Sequence, residues 1–168
     1  QGMAVKFLET GVRSVGRTAR GVKGVTLKTS DDVVVACEVI QPDDDKNIVI
    51  ISKNGYGKRS RPDDFRQTSR GAKGVRSMLV SERNGPIISV LSVSETDSLI
   101  IMSLNGQVVR TPIREIRVMG RSTQGVRLIT LKGQDVVELA QSVQCSAVEE
   151  SETVNESENQ SQQTDENE

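Results

Sequence analysis

Hydrophobic residues along the chain occur in short runs separated by glycine, asparagine and charged residues, and no stretch keeps a helical period. Two of these runs, Ile48 to Ile51 and Leu99 to Met102, are apolar at every position. Uninterrupted apolar runs of this length are typical of strands buried on both faces of a sheet. Val and Ile together make up 32 of the first 147 residues, a bias toward strand-forming residues. The pattern predicts an all-β fold.

An Asn-Gly pair follows each apolar run, at Asn54-Gly55 and at Asn105-Gly106. Asn-Gly favours the positive φ angles of a two-residue hairpin, so each pair is predicted to join two antiparallel strands. The strand after each turn carries basic residues and ends near a proline, which cannot donate to the ladder. These residues are Lys58, Arg59 and Pro62 after the first turn, and Arg110 and Pro112 after the second.

Three segments rich in Arg, Gly and Lys recur along the chain. Arg20 to Val25 closely matches Arg70 to Val75, and Arg121 to Val126 matches both more loosely. The last glycines of the three segments are 50 and 51 residues apart, and the two Asn-Gly turns are also 51 residues apart. A period near 50 with glycine turns and about four short strands per unit fits the blades of a propeller. The predicted blades cover residues 1–46, 47–98 and 99–147.

A β-branched run keeps the same period and is predicted to form a strand in each unit. The three runs are Val33 to Val35, Ile87 to Val90 and Asp135 to Leu139. Sheets of this kind expose edges, and radial packing of blades protects them.

The formal net charge of −1 over 168 residues conceals two regions of opposite sign. Eight of the 23 acidic residues lie in 149–168 without a base, which leaves 15 acids against 22 bases before them, a net of +7. The tail, 148–168, is predicted to be disordered because it has too little apolar surface to offset its ordering entropy. A basic body indicates a polyanion-binding surface, for which the tail is hypothesised to compete. A merely solubilising tail is the alternative.

The composition excludes several chemistries. The chain has no histidine, so general-base, nucleophilic and metal sites built on histidine are excluded. Cys37 and Cys145 lie far apart, and both are expected to be small buried residues in a reducing compartment. Tyr56 has no neighbour in sequence that would activate it as a nucleophile. No catalytic residue and no metal ligand is predicted, and without a signal peptide or membrane-length apolar run a cytoplasmic location is expected.

Several motifs carry a resemblance to a known family. Asn105 to Pro112, followed by Val118 to Leu128, resembles the last part of the C-terminal domain of bacterial DNA gyrase A subunits. Gly16 to Val25 and Asn54 to Arg59 resemble the preceding blades of that domain. The resemblance covers essentially all of residues 1–147, with the motifs in the same order.

The resemblance implies a β-pinwheel, a propeller variant whose blades exchange strands and whose basic rim wraps duplex DNA. About three of six blades would be present, the C-terminal half of the domain. The family's signature box has the pattern Gln-(Arg/Lys)-Arg-Gly-Gly-(Arg/Lys)-Gly. Thr68 to Gly74 resembles a degenerate copy of it, so the true box is expected upstream of Gln1.

The resemblance also implies the setting in which the domain works. The parent would be a bacterial type II topoisomerase that hydrolyses ATP and introduces negative supercoils into closed circular DNA. Its partners would be double-stranded DNA, the gyrase B subunit and a second gyrase A subunit, and no membrane. ATP and Mg would serve the parent complex, and this fragment would hold no cofactor and perform no catalysis of its own.

The distribution of basic residues independently indicates duplex DNA. They cluster around turns and glycine-rich segments, where backbone N–H groups can also approach phosphates, and phosphate contacts supply affinity without reading sequence. Aromatic residues are only 2% of the chain, so base stacking on single strands cannot drive binding. Arg66 and Arg114 fall in the same clusters. The predicted DNA-binding residues are Arg17, Arg20, Lys23, Lys58, Arg59, Arg61, Arg70, Lys73, Arg76, Arg110, Arg117, Arg121 and Arg127.

Two alternatives remain open. The C-terminal domain of the topoisomerase IV A subunit is similar, with a less complete pinwheel. A propeller-like scaffold whose basic rim binds an acidic protein would show the same charge pattern.

Overall fold

The computed structural model describes residues 1–144, and over these the fold is all-β, as predicted. Helical segments among the described residues are three single 3-10 turns, at Glu9–Gly11, Pro62–Asp64 and Ile113–Glu115. The predicted disorder of the tail and the expected burial of Cys145 lie outside the described residues. The nine strands are β1 (Met3–Ala4), β2 (Asn47–Ser52), β3 (Tyr56–Ser60), β4 (Val75–Arg76), β5 (Ile87–Val93), β6 (Ser98–Ser103), β7 (Val108–Pro112), β8 (Val126–Arg127) and β9 (Val137–Val143).

The strands form three antiparallel sheets that exchange segments along the chain. The first sheet pairs β1 with β4, the second has the order β5-β2-β3-β8, and the third has the order β7-β6-β9. β4 follows the second sheet's hairpin in sequence but pairs with β1, and β8 follows the third sheet's hairpin but pairs with β3. This exchange confirms the pinwheel character of the fold. The residue boundaries of the three predicted blades stay predictions.

Strand β2 lies at the centre of the described fold and is buried on both faces. Because successive side chains of a strand point to opposite faces, Val49 and Ile51 pack into one apolar cluster. Ile48 and Ile50 pack into the other cluster, with Phe65 and the fully buried Met78. The uninterrupted apolar run was therefore a correct signal of a strand between two cores.

The hairpin turns differ from the two-residue type that the Asn-Gly pairs predict. Each connection has three residues or more, and in the first β2 ends at Ser52 and β3 begins at Tyr56. Gly55 donates its N–H to the Ser52 carbonyl at 3.1 Å, with φ of 79° at Gly55 and no positive φ at any described residue other than glycine. A type I turn followed by a left-handed glycine fits three residues, and here only the glycine needs the left-handed region. Asn54 instead donates its side-chain Nδ2 to the Glu82 carbonyl at 3.0 Å.

The first predicted unit contains less strand than expected. Val33 to Val35 is not a strand, and these three side chains are 47–66% exposed. The equivalent strands β5 and β9 each pair with the apolar strand that precedes a hairpin, β2 or β6. No described strand or isolated bridge pairs with Val33 to Val35. Cys37 lies in the same region and is exposed, so the expectation that it is buried is wrong.

Candidate nucleic-acid interface

The glycines of the repeated Arg/Gly segments allow the exchanged strands to approach their partners. Gly74 has φ of +75°, and a Cβ there would lie 2.2 Å from the Ala4 carbonyl oxygen. Gly125 has φ of +81°, and its Cβ would lie 2.5 Å from the Gly57 carbonyl oxygen. No side chain fits at these distances, and L-residues avoid this φ region. The sequence suggested that these glycines let the backbone approach a phosphate. In the structure, Gly74 and Gly125 instead let an exchanged strand approach its partner.

Hydrogen bonds connect the first Arg/Gly segment to the second. Arg70 donates from Nε to the Gly11 carbonyl at 2.9 Å and from Nη1 to the Lys23 carbonyl at 3.2 Å. Gly71 donates its N–H to the Gly24 carbonyl at 2.6 Å. The arginine of one segment thus holds the backbone of the preceding segment, about fifty residues earlier in sequence.

The second and third segments are connected in the same way. Arg121 donates from Nη1 to the Arg76 carbonyl at 3.0 Å, and Leu79 donates its N–H to the Thr123 carbonyl at 3.1 Å. The three segments therefore form one continuous row, which we call the basic row: residues 20–26, 70–76 and 121–127.

A groove of about 790 Å³ opens along the basic row, between the second and third segments. Five of the ten residues that line it are basic, against a single carboxylate, that of Asp64. Lys28 was not predicted from the sequence, because no motif marks it, and Arg66 was predicted only as a member of the general clusters of basic residues. The basic lining residues are Lys28, Arg66, Lys73, Arg76 and Arg121.

Most of the predicted DNA-binding residues present their side chains to solvent, and Arg121 is half-buried. Lys73, Arg76 and Arg121 line one groove, whereas Arg17, Arg61, Arg110 and Arg117 lie outside the basic row in sequence. The exposed residues are Arg17, Arg20, Lys23, Arg61, Arg70, Lys73, Arg76, Arg110, Arg117 and Arg127.

Lys58 lies inside the protein. Its side chain is fully buried, and Nζ donates to the Gly120 carbonyl at 2.9 Å and to the Arg121 carbonyl. Burial lowers the pKa of Lys58 to about 8, because desolvation penalises the charged form. Lys58 therefore fixes the third segment against β3 and has no exposed atoms to offer a ligand.

Arg59 is also committed to an internal contact. Only 6% of its side chain is exposed, and Nη1 lies 2.6 Å from Oε1 of Glu95. Lys58 and Arg59, the β3 residues predicted to bind DNA, are therefore held in contacts inside the protein. The candidate interface is formed by the exposed residues of the basic row.

Two arginines, Arg83 and Arg127, contact Tyr56, the first residue of β3. Its hydroxyl oxygen accepts a hydrogen bond from Arg127 Nη2 at 3.0 Å and one from Arg83 Nε at 3.3 Å. The two guanidinium carbons lie 5.6 and 5.0 Å from the centre of the phenol ring. Hydrogen bonds from Arg83 and Arg127 lower the pKa of Tyr56. Arg83 was not predicted from the sequence, because 27 residues separate it from Tyr56.

Over residues 1–144, no group of three or more Cys, Asp or Glu side chains is placed to hold a metal ion. Within the same range, none of the helical segments has the length and apolar character needed to cross a bilayer.

Comparison with known families decides the assignment of the fold. The family described as the DNA gyrase C-terminal domain, beta-propeller, matches residues 1–41, 46–94 and 97–144. The chain belongs to this family. The match falls in three consecutive segments, and together they cover the repeats found in the sequence.

Relatives of this gyrase-family chain are DNA gyrase A subunits. It is 48% identical over 136 residues to that of Chlamydia muridarum, a match covering 81% of this chain. It is 42% identical to that of Haloquadratum walsbyi over 137 residues and 36% identical to that of Staphylococcus aureus over 148 residues, or 82% and 88% of the chain. The chain spans 16–17% of the length of these relatives.

Solved structures agree with the family assignment. A gyrase A C-terminal domain superposes with a TM-score of 0.74 at 27% identity, covering 84% of this chain and 47% of the other. A topoisomerase IV C-terminal domain superposes with a TM-score of 0.78 at 24% identity, covering 85% and 44%. The second match shows a shared fold alone.

Proposed function

We propose that this gyrase-family domain binds duplex DNA along the basic row and wraps it, within the A chain of a DNA gyrase. In the parent enzyme the domain presents a DNA segment for ATP- and Mg-dependent strand passage, which introduces negative supercoils. Its partners there are the gyrase B subunit and a second gyrase A subunit, in the bacterial cytoplasm. The observation that carries the proposal is the continuity of three basic segments, joined by the hydrogen bonds of Arg70 and Arg121.

The physical argument concerns the spacing of positive charge. Exposed lysines and arginines that recur along a row meet successive phosphates of a stiff duplex, and each contact releases condensed counterions. Contacts confined to the backbone favour bending without sequence reading. Tyr56 is the sole tyrosine of the chain and is only 7% exposed, so it offers no platform for stacking bases.

The first experiment measures binding to a duplex of about forty base pairs across a salt series. Lys73→Gln and Arg76→Gln remove exposed charges of the groove, and Lys132→Gln removes an exposed charge that does not line it. We expect each groove variant to flatten the slope of log K against log salt by about 0.9, and the control to leave it unchanged. Slopes equal to the wild type in both groove variants would exclude the groove as the DNA surface.

A topological measurement separates wrapping from a protein-binding scaffold. Nicked circular DNA is resealed by ligase in the presence of the domain, and the linking number of the product is determined. Wrapping shifts the linking number in proportion to bound domain, whereas a scaffold for acidic proteins leaves it unchanged. Binding without any shift would keep DNA as the ligand and remove wrapping from the proposal.

Topoisomerase IV remains the nearest alternative parent. Its C-terminal domain shares the fold, but the relatives named above that exceed 30% identity are DNA gyrase A subunits. Those names favour gyrase.

A further inference from the structure

We propose that Arg83, Tyr56 and Arg127 form a phosphate-binding site, the Tyr56 site, in which the phenol positions two guanidinium groups for one phosphate. The inference rests on the proposed function for the source of the phosphate, which is the DNA backbone. It adds Arg83 to the DNA-contacting residues and gives Tyr56 a positioning role.

Both arginines donate a hydrogen bond to the same atom, the hydroxyl oxygen of Tyr56. The two nitrogens that donate to the Tyr56 hydroxyl are at most 6.3 Å apart, the sum of 3.3 and 3.0 Å. Both guanidinium groups also face the phenol ring, which attracts cations through its quadrupole. Long side chains lose much rotamer freedom when they are held in this way, so the arrangement lowers the entropy cost of binding a ligand.

The positive charge of the site favours the binding of an anion. Arg83 and Arg127 are exposed, and no carboxylate of residues 1–144 lies within 4.0 Å of either guanidinium group. Two like charges held close together repel each other, and a phosphate bound between them attracts both guanidinium groups. The hydrogen bonds from Arg83 and Arg127, and after them the positive charges of the two guanidinium groups, lower the pKa of Tyr56.

The remaining donors suit a phosphate group. A guanidinium has five N–H donors, and each arginine uses one of them on the phenol. The others form planar forks, which match two oxygens of a phosphate. Arg127 lies on the exchanged strand β8 and Tyr56 on β3, so the site exists only where the third segment docks on the second sheet.

A double-mutant cycle tests whether the two arginines share one phosphate. We expect Arg83→Gln and Arg127→Gln each to weaken duplex binding about tenfold. If one phosphate is shared, the double variant loses less binding free energy than the sum of the two single losses, and its salt slope flattens by about 0.9 in total. Lys132→Gln is the matched control. Additive losses would mean two separate contacts and would overturn the site.

Tyr56→Phe tests the positioning role without changing charge. Phenylalanine keeps the ring and its attraction for the cations but removes the oxygen on which both arginines meet. We expect a loss of duplex affinity of about threefold or more, equivalent to a neutral hydrogen bond. Wild-type affinity, whatever the change in unfolding temperature, would reduce Tyr56 to a structural residue and overturn this role.

Inorganic phosphate provides a readout that is independent of DNA. Side-chain Nε–H resonances of Arg83 and Arg127 are followed by NMR during phosphate titration, against chloride at the same ionic strength. Saturable shifts at both residues, abolished by Arg83→Gln, support the site even if the wild type fails to bind duplex. Shifts that merely track ionic strength overturn it.

Discussion

The second and third sheets begin from the same hairpin motif but bury it to different extents. Every residue of β3 is buried, whereas β7 has only exposed and half-buried positions. A Cβ at Gly55 would lie 2.7 Å from the Ile129 carbonyl oxygen, but at Gly106 it would meet no atom within 4 Å. The difference is β8, which covers β3 and has no counterpart on β7 among residues 1–144.

A segment from the next repeat therefore determines whether the side chains of a hairpin are buried or exposed. Lys58 donates to the third segment at the Arg121 carbonyl, Arg59 pairs with Glu95, and both side chains serve packing. Arg110 stands at the same distance from Asn105 as Arg59 does from Asn54, yet it remains exposed on β7. Equivalent basic positions therefore need not share a function.

The largest expected effect comes from alanine at the two turn glycines. Gly55→Ala and Gly106→Ala face the same left-handed strain, since their φ angles are 79° and 80°, and that strain costs about 1–2 kcal/mol. Only Gly55→Ala also forces Ile129 away, for about 1–3 kcal/mol more. We expect urea unfolding to show the larger loss at Gly55. Equal losses would mean that β8 does not close tightly over the hairpin.

Lys58→Met removes the donor that fixes the third segment against β3. We expect a loss of about 1–2 kcal/mol in the free energy of unfolding, because the Gly120 and Arg121 carbonyls lose their donor while the cost of burying an ammonium is relieved. Lys53→Met, at an exposed lysine of the same hairpin, is expected to stay within about 0.5 kcal/mol. A stability gain for Lys58→Met would show that desolvation outweighs the two hydrogen bonds.

The pH dependence of stability tests the same lysine. Its folded pKa of about 8 is below the value of 10.5 expected in the unfolded chain. Between these values the unfolded chain keeps a proton that the folded protein has released, so the free energy of unfolding rises with pH. Tyr56, whose pKa is also lowered, contributes equally in wild type and Lys58→Met. We expect the difference between their pH profiles to isolate Lys58, and parallel profiles would contradict its lowered pKa.

The smallest expected effect concerns the Arg59–Glu95 pair. Glu95→Gln leaves a buried guanidinium without its charged partner, but 54% of the Glu95 side chain is exposed and solvent screens the pair. We expect a loss of about 1 kcal/mol and no change in the salt slope of DNA binding. Glu115→Gln, at an exposed glutamate of the third unit, serves as the control. A changed salt slope of DNA binding would indicate that Arg59 contributes to the DNA-binding surface.

The all-β class, the period of about fifty residues and the strands β2 and β6 were predictable from the sequence alone. Each depends on local properties: apolar runs, β-branched residues and glycines where L-residues are strained. The exposed residues of the basic row were also recognisable, because lysine and arginine beside glycine turns are rarely buried.

Which of these features pack and which face solvent depends on contacts between segments that are distant in sequence. The burial of Lys58 and Arg59 depends on carbonyls and a carboxylate that lie 36–63 residues away in sequence. The meeting of Arg83 and Arg127 on Tyr56, and the missing ladder beside Val33 to Val35, likewise depend on which strands pair. Strand exchange joins different repeats, so it cannot be predicted from the residue pattern of a single repeat.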